Sequence, residues 1–81
     1  MTPDEELAAA ITGREHWRLD GSTALYEPPG ATSHVRVVAI AAGGHRERFR
    51  TIVVAAGRAQ HSRPAGTAVE AVRWSERVNL G

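Results

Sequence analysis

HVRVVAIAAGGHRERFRTIVVAA, residues 34–56, is the stretch that decides the fold. Both of its ends are rich in β-branched residues, which favour extended backbone. The adjacent glycines Gly43 and Gly44 stand between the two runs and supply the positive φ angles that a tight type I′ turn requires. The sequence therefore predicts a central β-hairpin.

The apolar pattern of this hairpin changes along its length. Val35 and Val37 alternate with His34 and Arg36, which places the two pairs on opposite faces of the first strand. Both strands are amphipathic at their start and apolar on both faces at their end. Such a change is typical of strands that coil into a small barrel and pass from the surface to the interior.

The N-terminal segment has the pattern of a capped helix. Thr2 and Glu5 have the spacing of a capping box, in which each side chain bonds the backbone amide of the other residue. We therefore expect a short helix over residues 2–13, with Leu7 and Ile11 on its apolar face. A helix of this length is marginal alone. It either packs on the domain, which we favour, or serves as an arm through which Leu7 and Ile11 dock on a partner.

An extended segment interrupted by a turn is expected to precede the hairpin. WRLDGSTALY, residues 17–26, is extended in character and is interrupted by a turn signal at Asp20 and Gly21. Four residues are candidates for burial in this segment: Trp17, Leu19, Leu25 and Tyr26. The Pro28 and Pro29 pair that follows cannot donate to a ladder and predicts a loop.

The second half of the chain is less clearly patterned. Residues 55–66 contain two glycines and a proline without an apolar period, which predicts a long polar loop. Residues 67–78 fit two structures. A strand that ends near Trp74 is favoured, because a helix groups the apolar residues of this segment less well.

These elements predict a mainly β protein of the α+β type, with a single domain over residues 1–81. The order of GSTALY, the hairpin, a loop and VEAVRWSERVNL resembles the SH3-like small barrels, the group that includes Tudor and KOW modules. The resemblance covers roughly residues 18–80. It implies that a small barrel of about four to five antiparallel strands, over residues 17–80, follows the N-terminal helix.

A second similarity concerns ELAAAITGREHWRLDG, which resembles the N-terminal stretch of pterin carbinolamine dehydratases. The paired-histidine-proline motif of that family is absent from the chain. The resemblance therefore implies no activity.

Composition limits the classes of protein to consider. The chain has 81 residues and no cysteine, so neither disulfides nor a cysteine-based zinc site can supplement a thin core. Its N-terminus is acidic and its apolar run is short, which predicts neither a signal peptide nor a membrane segment. We expect a cytoplasmic protein. All ten basic residues are arginine, a bias typical of GC-rich bacterial coding sequences.

Charge is divided unevenly along the chain. Residues 1–20 hold five acidic and two basic side chains, a net charge of −3, whereas residues 31–65 hold six arginines and one glutamate, a net charge of +5. Arg46, Arg48 and Arg50 alternate and are expected to project from one face of the hairpin. The candidate basic patch consists of Arg36, Arg46, Arg48, Arg50, Arg58 and Arg63.

No catalytic motif is recognisable. The four histidines lack the spacing that would place two ligands on one metal ion, and no nucleophile-elbow, P-loop or dinucleotide-binding glycine pattern occurs. We therefore predict no catalytic residue, no metal site and no cofactor.

Two non-enzymatic functions remain. The first is a small adaptor module that binds a protein partner or a second copy of itself, which needs little sequence signature. The alternative is binding of DNA or RNA, in which the basic patch contacts phosphates. The aromatic residues then available for stacking, if exposed, are Tyr26, Phe49 and Trp74. Because arginine is enriched at protein interfaces as well, the patch alone does not discriminate.

Overall fold

A computed structural model of the chain describes residues 1–41, 44 and 46–81. Two helices flank five strands in the order of the sequence, and the strands form one antiparallel sheet in which neighbours in sequence are neighbours in space. The fold is therefore of the α+β type and rich in β-structure. Its elements are α1 (Pro3–Ile11), β1 (Trp17–Asp20), β2 (Thr23–Tyr26), β3 (Ser33–Ala39), β4 (Phe49–Ala55), β5 (Arg58–Ala65) and α2 (Ala68–Arg77).

The central hairpin is confirmed as the pairing of β3 with β4. Its register runs from Ser33 opposite Ala55 to Ala39 opposite Phe49. Gly43, half of the glycine pair that predicts the turn, lies outside the described residues. The sheet is not closed, because β1 and β5 form its two edges, and a barrel is not confirmed.

One face of the sheet is covered by both helices, and the core lies between these two layers. Leu7 and Ile11 of α1 and Val72 of α2 pack there against Val35 and Phe49. Helix α1 therefore belongs to the core. No element among the described residues covers the opposite face, where Arg36 is exposed.

The capping box of α1 is confirmed. The Glu5 amide donates to Thr2 Oγ1 at 3.2 Å, and the Thr2 amide donates to Glu5 Oε1 at 3.1 Å. The helix ends at Ile11, and Gly13, with φ +74°, turns the chain away. This local chemistry fixes the start and the end of α1 without help from the rest of the fold.

The long polar loop expected over residues 55–66 is wrong for most of its length, since residues 58–65 form strand β5. Seven of its eight side chains are exposed, so the strand has no apolar alternation that the sequence could reveal. Its extended backbone depends instead on pairing with β4, interrupted by a bulge next to Val53 and Val54.

The strand favoured for residues 67–78 is also wrong, because Ala68–Arg77 forms helix α2. Thr67 caps it by accepting from the Glu70 amide at 3.1 Å. The buried stripe is made mostly of small residues, which a search for large apolar residues overlooks: Ala68, Ala71, Val72 and Ser75. Burial of Leu19 is a further wrong expectation, since its exposed fraction is 44%.

Candidate binding cleft

The three aromatic candidates differ in their exposure to solvent. Phe49 is fully buried in the core. Tyr26 is half-buried and its ring stacks on Trp17, with 4.9 Å between centroids. Trp74 is half-buried and lies beside side chains of the edge strand β5. Of the three predicted stacking residues, Trp74 is therefore the one that borders a cationic surface.

The arginines of the hairpin do not form the single row that alternation suggests. Arg48 turns toward the helices, where it forms an ion pair with Glu6 at 2.6 Å and donates to the Gly66 carbonyl at 3.2 Å. Arg50 donates to Ser62 Oγ at 2.6 Å instead. Arg46 is exposed near the turn.

Arg36 lies on the open face of the sheet and donates to His34 Nε2 at 3.4 Å. Its neighbours across β2 and β4 are Leu25 and Ile52. It is therefore separated by the thickness of the sheet from the surface that α2 borders.

Strand β5 carries a second basic group, which the structure brings together with α2. Directly opposed residues of antiparallel strands point to the same face, and three residues of β5 lie opposite alternate residues of β4. These three are Arg58, His61 and Arg63, and their partners are Ala55, Val53 and Thr51. Since Val53 and Thr51 point into the layer beneath the helices, all three β5 side chains lie on the side of α2.

Trp74 faces this group from the helix. The His61 ring stacks on the indole with 5.7 Å between centroids, and Arg63 Cζ lies 5.8 Å from the indole centroid. Glu70 and Arg77 lie four residues before and three after Trp74, the spacing at which helical side chains share a face. Sequence reasoning missed His61 and Arg77, because their relation to Trp74 depends on β5 being a strand and α2 a helix.

Between these residues lies a cavity of about 150 Å³, here called the β5–α2 cleft. Trp74, Pro64, Ala65 and Ala71 contribute the apolar part of its lining. Arg63, Glu70 and Arg77 provide its charged lining. A cavity of about this size holds a benzene ring, so the cleft has room for one apolar side chain.

The charge of the cleft is predominantly positive. Among the described residues, Arg58, Arg63 and Arg77 have no carboxylate within 4.0 Å, whereas Arg14 and Arg48 are paired with glutamates. Glu70 is the one acid that lines the cleft, and its Oε2 accepts from the Gly66 amide at 3.4 Å. The guanidinium groups beside Trp74 are therefore available to an anionic ligand.

Two other glutamates, Glu6 and Glu76, form ion pairs within the domain. The Arg48 guanidinium, with the Ala68 amide, holds the pKa of Glu6 below its ordinary value. Arg14, and to a lesser extent the Trp17 indole, lowers the pKa of Glu76 against the opposing effect of burial. Glu6 joins α1 to α2 and to the residue before β4, and Glu76 joins α2 to the α1–β1 connection and the start of β1. Both carboxylates have partners within the domain.

The part of the chain that the structure describes contains no cluster of three or more His, Cys, Asp or Glu side chains suited to a metal ion. Nor is either of its helices long and apolar enough to cross a membrane.

Comparisons with protein-family models, curated proteins and solved structures found no match to the chain.

Proposed function

We propose that the protein is a non-enzymatic binding module whose β5–α2 cleft holds an acidic segment of a partner protein. The observation that carries this proposal is the position of Trp74 between His61 and Arg63, at a cavity that Arg77 also lines. An apolar side chain of the partner enters the cavity, and neighbouring carboxylates contact the guanidinium groups.

The apolar part of this recognition depends on Trp74. Tryptophan and arginine are the residue types most enriched among those that dominate protein-binding energies. The half-buried indole offers a large rigid surface, and Ala65 and Ala71 extend it at little cost in conformational entropy. A single apolar side chain of the partner, inserted into the cavity, therefore makes most of the apolar contact.

The charged part depends on arginines that lack partners within the described domain. Arginine binds carboxylates through two parallel N–H···O bonds, which add direction as well as energy. Arg63 and Arg77 line the cavity, and Arg58 extends the positive surface along β5. An acidic segment provides carboxylates for these guanidinium groups, whereas their positive charge repels a basic segment.

The class of protein that we envisage is a small adaptor domain of the SH3-like group, which the element order resembles. Membership of that group stays a prediction. We propose that binding occurs in the cytoplasm, in agreement with a chain that has no cysteine.

Nucleic-acid binding is the second candidate, because an indole beside a guanidinium can also stack on a base next to a phosphate. The charges favour it less. Arg48 and Arg50 of the predicted patch lie beside Glu6 and Glu47, and Arg36 lies on the other face of the sheet. The remaining positive surface is short compared with the stripe that usually follows a phosphate backbone.

The test is an NMR titration that observes the indole N–H signals of Trp74 and Trp17. We expect the blocked peptide DELED to shift the Trp74 signal, because a leucine enters the cavity beside carboxylates. The charge-reversed peptide KRLRK and a short oligo(dT) are the controls. Trp17, whose indole N–H donates to Glu76 at 3.0 Å, is an internal reference on another surface.

Variants make the assignment specific. Replacing Arg63 and Arg77 together with Gln should weaken DELED binding about five- to tenfold, given what exposed charge pairs contribute. Arg73→Gln, which removes one positive charge from an exposed position of the same helix outside the cavity lining, should leave binding unchanged. A Trp74 signal that moves only with oligo(dT) supports the nucleic-acid alternative, and one that moves with no probe rejects the cleft.

A further inference from the structure

We infer that the acidic segment bound by the β5–α2 cleft is the N-terminal turn of α1 from a second copy of this chain. The inference rests on the proposed function, since it names the partner of the same cleft. The segment concerned is residues 1–5, here called the acidic turn. Its apolar and acidic groups match the apolar surface and the arginines of the cleft.

The acidic turn presents these groups to solvent. Met1 is 88% exposed, and its flexible side chain can fill an irregular cavity. Asp4 and Glu5 are exposed, and among the described residues neither lies within 4.0 Å of a basic side chain. Asp4 Oδ2 accepts from Ser22 Oγ at 3.3 Å, and Glu5 is held in its capping box. The turn is therefore a preformed segment with an apolar side chain beside two carboxylates.

The acidic turn of one molecule forms no ion pair with the cleft of the same molecule. Helix α1 packs against α2 and also contacts β1 and β2, and the bond from Ser22 to Asp4 holds the turn beside the β1–β2 connection. Among the described residues, neither Asp4 nor Glu5 lies within 4.0 Å of Arg63 or Arg77. These charges are therefore available to pair between molecules.

This contact joins two different surfaces, so it is head-to-tail. Repetition of such a contact extends a chain of molecules unless the geometry closes a ring. Each junction depends on charges at the surface, which are screened over about 8 Å at physiological salt and about 3 Å at 1 M salt. Association should therefore increase with protein concentration and decrease with salt.

Two complementary variants test the junction by sedimentation velocity at low salt. The turn variant carries Asp4→Asn and Glu5→Gln, because glutamine preserves the capping box. The cleft variant carries Arg63→Gln and Arg77→Gln. We expect the wild type to form species larger than a monomer and each variant alone to stay monomeric. An equimolar mixture should form a heterodimer and nothing larger, because it contains one intact cleft and one intact turn per pair.

Arg73→Gln, which removes one positive charge outside the cleft, is the control and should associate like the wild type. Circular dichroism should show that every variant remains folded. Continued self-association of either variant alone, or a mixture that stays monomeric, overturns the inference. A monomeric wild type overturns it as well, and the DELED titration then separates the two proposals. Peptide binding without self-association leaves the cleft as a site for another acidic partner, whereas loss of both removes the proposed function too.

Discussion

At the scale of single residues, Glu6 connects three elements. Its carboxylate accepts from Arg48 Nη2 at 2.6 Å and from the Ala68 amide at 3.0 Å, so that α1, the residue before β4 and the first turn of α2 meet at one side chain. The contact with Arg48 spans 42 positions of the sequence. The same pairing removes Arg48 from the basic surface, which is why the structure separates it from Arg63.

The pKa of Glu6 makes stability depend on pH. In the folded protein it lies below its ordinary value of 4.5, so the charged carboxylate stabilises the fold above about pH 4.5, and this contribution is lost as pH falls through the folded-state pKa. We expect Glu6→Gln to lower the free energy of unfolding by about 1–2 kcal/mol at pH 7. Below the folded-state pKa the difference should disappear.

Urea unfolding at pH 7 and near pH 3 measures this difference. Glu15→Gln is the matched control, because the Glu15 carboxylate is highly exposed and its nearest partner is His16 at 3.7 Å. A deficit of Glu6→Gln that persists unchanged in acid would contradict the role given to the ion pair.

At the scale of elements, helix α1 shows how local and tertiary interactions together stabilise a short helix. The capping box defines where the helix begins, but a nine-residue helix gains most of its stability from the face that it buries. Leu7 is fully buried against the sheet and α2, and Ile11 extends the same contact. Helix α1 thus presents its acidic turn to solvent while its apolar face stays in the core.

Leu7→Ala tests that placement. We expect a loss of about 2–5 kcal/mol in the free energy of unfolding, because the substitution removes buried methyl groups and leaves a cavity. Val69→Ala on α2 is the control, since Val69 is 49% exposed and its truncation should cost well under 1 kcal/mol. Equal losses in chemical denaturation would show that α1 lies outside the core.

At the scale of the whole molecule, the open sheet has two unequal edges. β1 is four residues long, whereas β5 has eight residues and carries Pro64, a bulge and two arginines. Proline, bulges and charges are features that discourage the addition of a further strand. We therefore assign recognition at β5 to its side chains and the cleft rather than to its backbone edge.

Native-state hydrogen exchange should reflect this arrangement. The slowest amides are expected in β3 and β4, around Val35 and Val53, because both strands are paired on each side and covered by helices. The amides of β1 and β5 that point outward should exchange fastest within the sheet. The measurement is made on dilute protein at high salt, and slow exchange of β5 under those conditions would mean that its outer edge is covered.

What the sequence by itself determined are the features that depend on neighbours along the chain. The capping box of Thr2 and Glu5, the turn between β1 and β2 and the pairing of β3 with β4 follow from side-chain spacing, glycine placement and β-branched runs. Each of these signals acts over a few residues, so it is readable before any tertiary contact forms.

Only the tertiary structure decided the second half of the chain and the cleft. Strand β5 is extended because β4 offers it a partner, and its exposed side chains carry no periodic signal. Helix α2 buries small residues against the sheet, so its apolar stripe becomes visible only beside that sheet. The cleft requires both elements at once, because the energies that place Trp74 beside Arg63 arise between residues that are distant in sequence.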